Sequence, residues 1–139
     1  MLTLKQVIDA VLEHAVKNDI IVHQYKAKTS NSVYLKFDFG VLNTLRVSDH
    51  KGKRKYPYKY ELSSHRSETV SVKKFYKGNE FYVYKMCFDD LDLFLDILVE
   101  ERNEKLAKFG ESGYAAILKK KQHTSVDDSY FYRRATLVV

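Results

Sequence analysis

LRVSDHKGKRKYPYKYELSS, residues 45–64, reads as two strand segments on either side of a basic turn. The first closes a strand over 41–48 in which Val41, Asn43, Leu45 and Val47 share one face, and Leu42, Thr44 and Arg46 the other. Asp49 to Lys55 then forms a turn: the Asp49 carboxylate accepts backbone hydrogen bonds and Gly52 supplies a position with positive φ. The second strand, 56–62, sets Tyr56, Tyr58, Tyr60 and Leu62 against Pro57, Lys59 and Glu61. Pro57 lacks a backbone donor and belongs at a strand start or on an edge. Strands joined by turns in this way predict an antiparallel sheet.

Working outward, the same period-two pattern recurs. Residues 32–39 alternate Val33, Leu35, Phe37 and Phe39 with Tyr34, Lys36 and Asp38, and a shorter strand, 20–26, precedes them. On the other side, strands 69–76 and 80–88 meet at a Gly78-Asn79 turn. The sheet therefore has about four to six strands. At the N-terminal side, Leu4, Val7, Ile8, Val11, Leu12 and Ala15 recur at helical spacing over 3–18, and Thr3 with Gln6 fits a capping box. A second helix starts at Asp89 or Asp90, with Leu91, Phe94, Leu95, Leu98, Val99, Arg102 and Leu106 inward and Asp92, Asp96, Glu100, Glu101 and Glu104 outward. Gly110 suits its C′ position, a short third helix spans 112–122, and 124–129 is a loop. The tail from Tyr130 adds an edge strand, either within the chain or across a homodimer. The expected fold is one α+β domain over 1–139: an N-terminal helix, a central antiparallel sheet, a long acidic amphipathic helix on one face, and a short C-terminal helix and strand.

Composition narrows the function classes. A chain of 139 residues supports one self-sufficient core. Cys87 is the sole cysteine, which excludes an intramolecular disulfide and a cysteine-based zinc cluster. No apolar run approaches the length of a membrane span, so no membrane partner and a cytoplasmic location are expected. Charge is unevenly distributed: residues 45–77 hold ten basic and three acidic groups, whereas 78–118 hold four and nine. A basic segment beside an acidic helix steers charged partners more effectively than the overall +6. Lysine-rich turns also keep edge strands soluble, so the basic run has a purely structural reading as well.

The sequence has no glycine-rich phosphate loop, G-x-S-x-G elbow or H-E-x-x-H pair, and it implies no cofactor. A metal-dependent nuclease-like centre would draw on Asp38, Asp49, His50, Glu61 and His65 from neighbouring strands. Non-catalytic binding is better motivated. Arg46, Lys51, Lys53, Arg54, Lys55, Lys59, Arg66, Lys73, Lys74 and Lys77 are candidate phosphate contacts, with Tyr58 as a stacking ring and Asp49 and His50 beside them. Nucleic acid is the first partner this predicts. A host protein complex is the alternative, because opposite charges on different elements suit protein recognition. The tyrosines equally suit core coverage.

Ser32-Val-Tyr-Leu-Lys-Phe followed by Leu45-Arg-Val-Ser-Asp-His-Lys-Gly52 resembles a small group of uncharacterised proteins from phages and mobile elements of low-GC Gram-positive bacteria. The resemblance is confined to about residues 32–62 and brings no assigned activity. It implies a host-cell cytoplasmic setting, and it singles out Arg46, Ser48, Asp49 and His50 for testing. Accessory proteins of that origin bind host or defence components, which adds inhibition of a host nucleic-acid enzyme to the expectations.

Overall fold

Thr3 opens the first helix, α1 (Leu4–Lys17): its hydroxyl accepts the Gln6 amide while the Gln6 side chain accepts the Thr3 amide, completing the capping box. The computed structural model describes residues 2–27, 30–49, 58–64, 70–76, 78–128 and 136–138, with backbone only for 70–76, 79–81, 123–128 and 136. Val7, Val11 and Ala15 of α1 are fully buried on one stripe. The strands are β1 (Val22–Lys26), β2 (Val33–Phe37), β3 (Thr44–Ser48), β4 (Tyr60–Ser63), β5 (Val70–Tyr76), β6 (Asn79–Cys87) and β7 (Thr136–Val138). A long helix, α2 (Leu91–Asp128), follows β6.

Among the described residues the strands form one sheet in the order β5-β6-β4-β3-β2-β1-β7. The α+β class holds, but the sheet is mixed. β4 lies parallel to both β3 and β6, while β1–β2, β2–β3, β5–β6 and β1–β7 are antiparallel. Period-two alternation carries no information on strand direction, so the sequence pattern could not distinguish a hairpin from a crossover between β3 and β4. The turn expected at 49–55 falls mostly outside the described residues.

Phe39 is not a strand residue. Asp38–Gly40 forms a 3-10 turn, with φ of 48° at Asp38, 56° at Phe39 and 93° at Gly40, and Asn43 follows at 72°. Glycine, Asp and Asn tolerate this region, but Phe39 does so at a cost. The turn is held by Asp38, whose amide donates to the Ile21 carbonyl at 2.7 Å and whose Oδ1 accepts the Ile21 amide at 2.8 Å.

Gly110 interrupts α2 with φ 72° and ψ 167°. The expected C′ glycine therefore marks a break, and helical structure resumes over the expected 112–122 but also runs through the expected loop at 124–128. β7 pairs with β1 inside the chain, Val22 opposite Val138 and Gln24 opposite Thr136. The edge strand thus docks without a second subunit.

One face of the sheet meets both helices. Val22, Val33, Leu35, Phe37, Leu45, Val47, Tyr60, Leu62 and Met86 pack with the α1 stripe and with Leu91, Phe94 and Leu98 of α2. Phe94 lies at the centre, with ring centroids 6.1 Å from Phe37 and 5.5 Å from Tyr60. Phe94→Ala should therefore lower unfolding stability by about 3–5 kcal/mol, read as a reduced urea midpoint with an unchanged m value.

Candidate functional site

The sheet face away from the helices is buried and polar. Register aligns Tyr34 with Arg46, Arg46 with Glu61, and Glu61 with Lys85 across β2, β3, β4 and β6. Arg46 is 0 % exposed. Its Nη1 donates to Glu61 Oε1 at 2.6 Å, and its Nη2 donates to the Ser32 and Ser48 hydroxyls at 3.2 and 3.3 Å. The Tyr58 hydroxyl donates to Glu61 Oε2 at 3.2 Å. Arg46 Nε has no hydrogen-bond partner among the described residues.

This geometry corrects two expectations. Arg46 is not a phosphate contact, because it is sealed in the interior and neutralised by Glu61. Tyr58 is not a stacking ring, because it is buried and directs its hydroxyl at the same carboxylate. Lys59 is also engaged: its Nζ stands 3.2 Å from Glu101 Oε1 on α2. Glu101 further accepts the Tyr60 hydroxyl and, at 3.4 Å, the Asn43 amide nitrogen. Glu101 was expected on a solvated acidic face; the exposed carboxylates there are Asp92, Asp96, Glu100 and Glu104.

Three of the five candidate metal ligands, Asp38, Asp49 and Glu61, are described, and each has another partner. Asp38 is buried between helix and turn, accepting the Tyr114 hydroxyl and facing Arg102 Nη1 at 3.4 Å. Glu61 belongs to Arg46, and Asp49 accepts Asn31 Nδ2 at 3.4 Å. No group of three or more His, Cys, Asp or Glu suited to a metal ion occurs among the described residues. His50, Lys51, Lys53, Arg54, Lys55, His65, Arg66 and Lys77 lie outside the described residues. Lys73 and Lys74 are placed by backbone alone, on β5 opposite Tyr82 and Phe81.

β6 continues past the end of β4. Pairing with β4 covers Tyr84 to Cys87, while pairing with β5 covers Asn79 to Lys85. Among the described residues, then, the distal rungs form a two-stranded ribbon. Tyr82 on that ribbon is 50 % exposed and Tyr84 at its base is 38 % exposed. The strand that carries them was legible in the sequence; the exposure of its tyrosines was not, since it depends on which neighbours the fold sets against them.

Three phenols have raised pKa values. Burial is the first cause at each; the Glu61 charge adds to it at Tyr58, and hydrogen bonds to Glu101 and Asp38 add to it at Tyr60 and Tyr114. Burial, and then the Lys36 charge, lowers His23.

No protein-family description, curated protein or solved structure matches this chain.

Breaking the buried pair from one side strands a charge. Arg46→Met or Glu61→Leu alone should cost about 3–5 kcal/mol, whereas the double variant should cost clearly less than the sum of the two, as measured in a denaturant double-mutant cycle. The phenols give a second expectation. Each stays protonated in the folded chain above its ordinary value of 10.0. Their stabilisation is therefore complete below that pH and is lost progressively as pH rises above it toward the higher folded values, because the unfolded chain releases the protons first. Alkaline unfolding followed by circular dichroism should be up to three protons steep, and Tyr114→Phe should reduce the steepness by one.

Proposed function

We propose that this chain is a non-enzymatic nucleic-acid-binding protein whose contact element is the β5–β6 ribbon. The observation that carries the reading is the ribbon's extension beyond β4, with a half-exposed tyrosine on it and Lys73 at the facing rung. A two-stranded ribbon has the dimensions to enter a major groove. Lysines along it offset phosphate charge and release counterions, and the face of Tyr82 offers a stacking surface to an unpaired base.

The charge of the surrounding sequence supports the same element. Lys51, Lys53, Arg54 and Lys55 fall between β3 and β4, Arg66 between β4 and β5, and Lys77 between β5 and β6. With Arg46 and Lys59 removed from the contact set, these residues and Lys73 and Lys74 are the remaining cations. The resemblance to phage and mobile-element proteins is compatible with such a role and adds no residue to it.

Fluorescence anisotropy with labelled single-stranded and duplex oligonucleotides at low salt tests the reading. Binding should weaken steeply between about 50 and 200 mM salt. Lys73→Glu with Lys74→Glu should reduce affinity at least about tenfold for every sequence alike. Tyr82→Ala should cost about 1–3 kcal/mol on single strands if bases stack there, and much less on duplex. Absence of binding to either oligonucleotide at low salt would sink the proposal.

A further inference from the structure

Lys59 occupies a box made by other parts of the fold. Its ammonium lies 5.5 Å from the Tyr60 ring centroid, 6.0 Å from the Tyr84 ring centroid and 3.2 Å from Glu101 Oε1. The two rings are cross-strand neighbours on parallel β4 and β6, with centroids 5.6 Å apart and planes at 30°. The Tyr60 hydroxyl and the Asn43 amide hold the Glu101 carboxylate in place. Two ring faces with a fixed carboxylate are a recognition chemistry for organic cations.

The occupant is weakly held. The Lys59 side chain is 39 % exposed, and an ion pair with that much water contact contributes little. Tyr84 is also partly exposed, and Tyr82 follows two residues away on the same face of β6. With Glu101 turned to Tyr60, helical periodicity places the exposed Glu104 and the half-buried Lys105 on the same side of α2. The Glu101 carboxylate is the fixed charge of the box, and it attracts a cation.

We propose that this box is a recognition site for an arginine side chain of a partner protein, with Lys59 as a built-in occupant that the partner displaces. A guanidinium satisfies the box better than an ammonium, since its plane stacks on a tyrosine face while its fork meets a carboxylate. The site is separate from the ribbon tip, and failure of oligonucleotide binding leaves it intact.

The test uses methylguanidinium as probe, titrated into the full chain while the Tyr60 and Tyr84 ring signals are followed by NMR. Lys59→Ala removes the competitor and should tighten methylguanidinium binding about tenfold or more over the unmodified chain. Adding Glu101→Gln or Tyr84→Ala to that variant should abolish the gain. Urea midpoints establish that each variant is folded, and Lys59→Gln, which keeps much of the stem, serves as a second way of removing the charge. The proposal is overturned if both folded Lys59 variants bind no better than the unmodified chain, or if the added substitutions leave binding unchanged. It is equally overturned if an oligonucleotide, and not the cation, shifts the Tyr84 ring.

Discussion

The contact between Arg46 and Glu61 constrains more of this molecule than any other. It joins β3 to β4 across the parallel pair on which the mixed sheet depends, at a point where neither side chain has much water contact. Desolvating both groups is expensive, and the hydroxyls of Ser32, Ser48 and Tyr58 reduce that cost by completing most of their hydrogen bonds. The pair also fixes register. A slip of one residue would turn Glu61 to the helix-covered face and place Tyr60 or Leu62 against the guanidinium.

That constraint redistributes the charge read from the sequence. The segment with the largest positive excess gives Arg46 to the interior and Lys59 to Glu101, so it does not act as one uniform basic surface. The carboxylates of α2 are likewise divided. Glu101 anchors the helix to β4, while its neighbours a turn away face solvent. The two proposed contact elements are thereby separated in space: lysines and Tyr82 on the ribbon, and an aromatic and carboxylate box at its base.

Legibility in the sequence followed the range of the interactions. The capping of α1 by Thr3 and Gln6 spans three residues and was fully readable. So were the β2 and β3 strands and the start of α2 near Asp90, whose carboxylate accepts the Cys87 amide. Gly110 was readable as a break with helix on both sides, but the extension of the second helix through 124–128 was not. The partners of Arg46, Lys59 and Asp38 stand 15, 42 and 76 residues away, and no local period reports such distances. Strand direction at β4 was hidden for a related reason, since alternation is the same read in either sense.

The pairing of β1 with β7 has a consequence for biosynthesis. Val22 waits for Val138, so the outer border of β1 emerges from the ribosome more than a hundred residues before the segment that covers it. At ordinary elongation rates that interval is on the order of ten seconds. During it, the nascent chain presents unsatisfied amides and carbonyls to any neighbouring extended peptide. The half-exposed His23, Gln24 and Tyr25, with Lys26 at the end, give that border a polar character that disfavours adventitious pairing until translation delivers its cover.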